Sequence, residues 1–226
     1  MKYLYIVAAA GSGKRMGLST PKQFLEFQGE PIFIKTLKVI EESELVTDII
    51  VVTGEEHINT VANYCKNFGI TKLRNIVSGG KERQDSINNV MKTIFNPKEY
   101  IIAVQDGVRP FIKEKFIEEA YKSLEKVETL AGVVVGVAVK DTVKVVDVEG
   151  NIKDTPERKT LYLAQTPQVF RGEILKEAYE KAEIEGFIGT DDSSLVERLG
   201  YKVKIIEGTY DNIKVTTVED LVHFGE

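Results

Sequence analysis

Four cations, Lys2, Lys14, Arg15 and Lys22, precede the first acidic residue of this chain, Glu26. Two of them lie within a glycine-rich run, Ala8-Ala9-Ala10-Gly11-Ser12-Gly13-Lys14-Arg15-Met16-Gly17, and Pro21-Lys22-Gln23 follows shortly after. Glycines let backbone N–H groups approach phosphate oxygens, and the basic pair adds charge. The run is not a P-loop, because no Lys-Ser or Lys-Thr follows the second glycine at the required spacing, nor a dinucleotide fingerprint, because Met16 takes the place of the third small residue. A tight strand-to-helix turn would account for the glycines alone. The added cations favour a triphosphate.

The second group is Gly79-Gly80-Lys81-Glu82-Arg83-Gln84-Asp85-Ser86. Its glycines expose backbone donors and acceptors suited to a flat base edge, and Ser86 falls in a first helical turn, placed to read a polar substituent. The competing reading is that Asp85 and Ser86 cap the helix beginning there. The third group, Gln105-Asp106-Gly107-Val108-Arg109-Pro110, ends a strand. There Asp106 can face a ribose hydroxyl or a magnesium-bound water, or pair structurally with Arg109. Late in the chain come Arg158, Gln165-Thr166-Pro167-Gln168, Thr190-Asp191-Asp192 and Asp211-Asn212-Ile213-Lys214-Val215-Thr216. Taken singly, Thr190 reads as a helix N-cap and Lys214 as a solvated lysine.

Short β-branched runs alternating with helical patterns must position these groups. Strands are expected over residues 3–9, 48–53, 75–77, 100–104, 131–137 and 202–206. Apolar stripes at helical spacing join Ile87, Val90, Met91, Ile94 and Phe95, and likewise Phe116, Ile117, Ala120, Leu124 and Val127. Thr217 and Asp220 form a capping-box pattern for a last helix. The alternation is that of an α/β fold with a mainly parallel sheet covered on both faces, which presents its ligands at the carboxyl ends of the strands. Residues 141–163 break it with two strand-like pieces, 142–148 and 160–163, around Glu149-Gly150-Asn151, and read as a protruding β-arm. With no repeat or linker, residues 1–226 read as a single domain.

At 226 residues, 42% of them hydrophobic, the chain can bury one ordinary core. Its net charge of -5 excludes general nucleic-acid binding, so any polyanion must meet a local basic site. Cys65, the only cysteine, excludes an intrachain disulfide and falls on an apolar helix face with Ile58, Val61, Ala62 and Phe68. His57 and His223 have no metal-ligand spacing, and no protein metal site is expected. The N-terminus carries no signal-peptide pattern, and the apolar run over residues 130–139 is too short for a bilayer, so the expectation is a soluble cytoplasmic protein without a membrane partner. Two rivals share parts of the pattern. An NAD-dependent oxidoreductase would have the first strand, loop and helix but needs fewer cations, and a nucleotide-binding regulator would have every motif without turnover.

In order and spacing, Ala-Ala-Ala-Gly-Ser-Gly-Lys-Arg-Met-Gly, Pro21-Lys22-Gln23-Phe24, Gly79-Gly80-x-x-Arg83, Asp106-x-x-Arg109-Pro110, Asp141-Thr142, Thr166-Pro167-Gln168, Thr190-Asp191-Asp192 and residues 211–216 closely resemble the 2-C-methyl-D-erythritol 4-phosphate cytidylyltransferases. The resemblance runs nearly end to end and implies a Rossmann-like nucleotidyltransferase fold acting in non-mevalonate isoprenoid synthesis. It implies that CMP moves from CTP to a sugar-alcohol phosphate with release of pyrophosphate, Mg2+ being carried mainly by the triphosphate. By that resemblance Arg15 and Lys22 stabilise the transition state. Ala9, Ala10, Gly11, Ser12 and Gly13 wrap the triphosphate, and Lys214 contacts the α-phosphate. Gly80, Arg83 and Ser86 line the cytidine pocket, with Asp106 and Arg109 nearby. Thr142, Arg158, Thr166 and Thr190 hold the acceptor, with Arg158 counted among the catalytic cations, and the arm serves a homodimer. Gln105 stands where that family usually has histidine, and Val108 followed by Arg-Pro-Phe is similar to the related ribitol-5-phosphate cytidylyltransferases, which keeps ribitol 5-phosphate as the alternative acceptor.

Overall fold

The computed structural model describes residues 1–11, 20–217 and 220. Along the chain lie β1 (Lys2–Ala9), β2 (Glu26–Phe27), β3 (Glu30–Pro31), α1 (Ile32–Glu42), β4 (Asp48–Thr53), α2 (Ile58–Asn67), β5 (Leu73–Ser78), α3 (Arg83–Lys92), β6 (Tyr100–Asp106) and α4 (Glu114–Lys126). They are followed by β7 (Gly132–Ala138), β8 (Val145–Val146), β9 (Ile152–Asp154), β10 (Tyr162–Arg171), α5 (Gly172–Glu185), α6 (Asp192–Arg198) and β11 (Val203–Glu207). Seven strands form one sheet in the order β11-β7-β10-β6-β1-β4-β5. All its pairings are parallel except those that β10 makes with β6 and β7.

Period-two alternation with both faces buried explains the β-branched runs. Tyr3, Tyr5, Val7 and Ala9 of β1 pack with Phe33 and Leu37 of α1, Cys65 of α2 and Phe116 of α4. The intervening Leu4 and Ile6 pack with Ile87 and Val90 of α3, Tyr179 of α5 and Val196 of α6. Cys65 is buried, and that burial, with Glu41 nearby, pushes its thiol up to about 12, so it serves as a small hydrophobe. The two expected apolar stripes outrun their helices: Ile94 and Phe95 follow α3 and Val127 follows α4, and Phe95 and Val127 are exposed whereas Ile94 is buried.

The expected arm needs a correction. Residues 145–146 do pair, but with β9, in a separate two-stranded ribbon. The stretch expected as the arm's returning strand, 160–163, instead opens β10, where Tyr162 and Leu163 pair with Ala138 and Val137 of β7. Apolar Val169 and Phe170 in the interior of the sheet draw that strand inward, and its exposed start is carried with it. A second correction concerns α6, whose N-cap is Asp191 and not Thr190: the Asp191 carboxylate accepts from the Ser194 N–H at 2.9 Å. At the far end, Asp220 accepts from the N–H groups of Thr216 and Thr217 at 2.7 and 2.9 Å. The helix expected beyond Thr217 lies outside the described residues.

Candidate active site

The sheet runs outward from β1, to β4 and β5 on one side and β6 on the other, and the strand order reverses between β1 and β6. Such a switch point leaves a crevice at the carboxyl ends of the strands. A cavity of about 610 Å³ opens there, lined from residues 8–11, 22–23, 80–83, 86, 106, 108, 214 and 216. Ala8 at the end of β1 lies in register with Asp106 at the end of β6, so the first and third sequence motifs meet by sheet pairing alone. Behind them, the Ala9 carbonyl accepts from Gln23 Nε2 at 2.8 Å, which ties the first glycine loop to the turn carrying Lys22.

The second motif closes the next wall. A Cβ on Gly80 would sit 2.3 Å from the Asp85 Cβ, and one on Gly79 would sit 2.7 Å from the Ala10 Cβ, so the loop passes too close to its neighbours for any side chain. Asp85 Oδ2 accepts from the Glu82 N–H at 3.1 Å, a capping bond. The Ser86 hydroxyl donates to the Glu82 carbonyl and accepts from the Gly80 N–H, each at 3.0 Å. Ser86 therefore shapes the loop while facing the cavity, and its hydroxyl hydrogen is already engaged.

At the centre is Asp106, which is buried. Its Oδ1 lies 3.3 Å from Arg83 Nε, and its Oδ2 lies 3.4 Å from Arg109 Nε and 2.9 Å from Lys214 Nζ. Burial alone would raise its pKa, but Arg83, Lys214 and Arg109 outweigh it and hold the carboxyl well below the usual range. Burial works against the charge of Arg83, but Asp192 and Asp106 outweigh it and push its pKa up, whereas burial dominates for Arg109 and lowers it. Arg109 Nη1 also donates to the Asn212 carbonyl at 2.7 Å, and the Asn212 amide donates to Gln165 Oε1 and the Thr166 carbonyl at 3.1 Å each. Lys22 Nζ donates to the Val215 carbonyl at 3.1 Å. The late motif at 211–216 is thus clamped over the early ones, and a carboxylate with cations on both oxygens fixes several positive groups around a space sized for a nucleotide.

Among the expected site residues, Ala9, Ala10, Gly11, Lys22, Gly80, Arg83, Ser86, Asp106 and Lys214 line this cavity. Arg109 and Thr166 stand behind it, the Thr166 hydroxyl accepting from the Asp106 N–H at 3.1 Å. Thr190 is exposed at the approach to α6. Thr142 and Arg158 are exposed near the ribbon, where Arg158 Nη1 donates to the Lys140 carbonyl at 2.9 Å. Ser12, Gly13 and Arg15 lie outside the described residues. Sequence reading passed over Ala8, Gln23, Lys81, Glu82, Val108 and Thr216 as site residues although all six line the cavity and stood inside quoted motifs. Membership of the same motifs as the expected site residues was the available signal.

Residues 3–224 match the profile of a family described as IspD: 2-C-methyl-D-erythritol 4-phosphate cytidylyltransferase. A protein of that name from Fusobacterium nucleatum is 47% identical over 221 residues, covering 97% of this chain and 94% of the relative. Another, from Geotalea uraniireducens, is 44% identical over 228 residues, covering 98% and 94%. Among solved structures, the 4-diphosphocytidyl-2C-methyl-D-erythritol synthase of Anaerococcus prevotii superimposes with a TM-score of 0.86 at 31% identity, over 99% of this chain and 94% of that one.

Proposed function

This chain belongs to the 2-C-methyl-D-erythritol 4-phosphate cytidylyltransferase family, and from that premise we propose that it transfers CMP from CTP to 2-C-methyl-D-erythritol 4-phosphate, releasing pyrophosphate, as one nucleotidyltransferase domain. The observation that carries the reading is the Asp106 hub, which holds Arg83, Arg109 and Lys214 at one end of a nucleotide-sized cavity with Lys22 on its wall. The relatives favour methylerythritol phosphate over ribitol 5-phosphate as acceptor.

A phosphate monoester oxygen of the acceptor forms the new bond to the α-phosphorus of CTP. The bond from that phosphorus to the oxygen bridging the β-phosphate breaks, and pyrophosphate leaves with the electron pair. No proton need move, because the acceptor phosphate is largely ionised at neutral pH. The barrier is repulsion between two anions, which fixed cations offset by positioning and charge. In this reading Lys22 and Arg15 stabilise the transition state, Lys214 shares its charge between Asp106 and the α-phosphate, and residues 9–13 bind the triphosphate. Gly80 and Arg83 take the cytidine.

Magnesium enters as part of the substrate, neutralising triphosphate charge. Both Asp106 oxygens already face cations, which fits a metal carried by the triphosphate. The ribbon supports a homodimer in which the arm brings Thr142 and Arg158 to the neighbouring chain's acceptor. Val145, Val146, Val148 and Ile152 on it are exposed, and a lone two-stranded ribbon is marginal in water. No described helix is long and apolar enough to cross a membrane. With substrates that are phosphorylated metabolites, the cytoplasm is the proposed compartment.

The test is pyrophosphate release from CTP with methylerythritol phosphate and ribitol 5-phosphate supplied in parallel. Release with the first acceptor at much the higher catalytic efficiency is expected. Release with ribitol 5-phosphate alone would transfer the chain to the other acceptor class.

A further inference from the structure

Arg83 reaches two buried carboxylates at once. Its Nε lies 3.3 Å from Asp106 Oδ1, and its Nη2 lies 2.7 Å from Asp192 Oδ2. Asp192 is the first residue of α6, is fully buried and does not line the cavity. Its second oxygen, Oδ1, accepts from the Tyr179 hydroxyl of α5 at 2.5 Å, and Tyr179 is itself buried. A carboxylate so desolvated is costly unless charges and hydrogen bonds compensate it, and both of its oxygens are compensated here.

The backbone around Asp192 is fixed independently. Gln84, next to Arg83, clasps the preceding loop with both ends of its amide: Nε2 donates to the Phe187 carbonyl at 2.8 Å, and Oε1 accepts from the Gly189 N–H at 2.9 Å. Gln168 of β10 does the same one turn later, accepting from the Ser193 N–H at 3.0 Å and donating to Asp191 Oδ2 at 2.8 Å. Asp192 is therefore a fixed point against which the guanidinium is stretched. With Nη2 held there, Arg83 meets Asp106 through Nε alone and occupies only Oδ1, which leaves Oδ2 to Lys214 and Arg109. A guanidinium without that tether would form a two-pronged pair with Asp106 and compete with Lys214 for it.

We propose that Asp192, backed by Tyr179, is a positioning residue for the reaction, holding Arg83 on the nucleotide cavity in the orientation that leaves Asp106 shared with Lys214. The proposal rests on the reading of the cavity as a CTP site. It is tested with a double-mutant cycle of Asp192→Asn and Arg83→Gln, measuring CTP dissociation constants by calorimetry, kcat and KM, and melting temperatures. Asp192→Asn should weaken CTP binding roughly tenfold, in line with losing one charged hydrogen bond. Arg83→Gln should weaken it at least as much and lower the melting temperature, because it leaves Asp192 buried without its cation. In the Arg83→Gln background, adding Asp192→Asn should raise the melting temperature and leave CTP affinity unchanged. Tyr179→Phe gives a milder form of the test: a shift in the same direction as Asp192→Asn, absent when Arg83 is Gln.

If Asp192→Asn binds CTP like the wild type, or if the two losses in affinity multiply, Asp192 does not act through Arg83 and the proposal is overturned. Should Asp192→Asn fail to fold, the Tyr179→Phe pair decides by the same criteria. Wild-type protein that binds CTP but releases no pyrophosphate would refute the activity and leave the cycle readable in affinity. Wild-type protein that binds no CTP overturns both.

Discussion

Asp106 and Arg158 are proposed to serve one reaction but sit in opposite surroundings. Asp106 is buried under three cations, with Thr166 on its own N–H, whereas Arg158 is exposed and held by the Lys140 carbonyl. Around the first, charge is fixed by partners that also hold the fold together. On the ribbon that precedes the second, apolar side chains such as Val148 and Ile152 are exposed. The difference separates two kinds of functional residue: one cannot be altered without altering stability, and the other can.

The largest effect should follow from Asp106→Asn. Removing a buried carboxylate from beneath Arg83, Arg109 and Lys214 should cost about 3–5 kcal/mol of stability and abolish measurable turnover, as read by urea unfolding and pyrophosphate release. A loss of stability below about 1 kcal/mol would break the comparison. The same carboxylate sets a pH dependence. Its pKa is lower folded than unfolded, so its contribution is present above the ordinary carboxylate range and disappears only as pH falls through the depressed folded value. Unfolding free energy should therefore lose nothing on Asp106's account between about pH 8 and about pH 5, and Asp106→Asn should flatten the acid limb below that range.

Next in size is Lys22→Ala. Turnover should fall about 10²–10³-fold while CTP binding remains measurable, because a cation beside the reacting phosphorus matters most as charge redistributes. Steady-state kinetics in which only the KM for CTP moved would contradict that role.

Arg158→Ala sharpens the contrast. Stability should stay within about 0.5 kcal/mol of wild type while activity drops. If Arg158 serves the neighbouring chain, mixing Arg158→Ala with Lys22→Ala protein and allowing subunits to exchange should restore roughly a quarter of wild-type activity, since random exchange makes half the dimers mixed and one site in each is intact. No recovery despite demonstrated exchange would confine Arg158 to its own chain. The smallest effect belongs to Val148→Ser, whose side chain is fully exposed within the chain: no measurable change in monomer unfolding, but weaker self-association in sedimentation.

The parts of the fold legible in the sequence were those where physics is local. Strand β1 is buried on both faces, so its apolar run is unbroken, and Ala9 and Asp106 announce themselves at strand ends shortly before glycines. Only the first residues of strand β10 were legible. Gln165, Pro167 and Gln168 interrupt its pattern, and they are tolerated only because Asn212 and the Asp191-Ser193 turn satisfy the glutamines from far along the chain. The Arg83 to Asp192 pair was hidden for the same reason, its members lying in different motifs with nothing in the spacing to join them. Resemblance supplied the joint reading of the motifs, and packing supplied the hub.

In the proposed reaction fixed charge drives one direct displacement at the α-phosphorus, without a covalent enzyme intermediate. The most direct measurement is the stereochemical course with CTP made chiral by sulfur at that phosphorus. Inversion of configuration in the diphosphocytidyl product is the expected result, whereas retention would require two displacements through a nucleophile of the protein and would contradict the account.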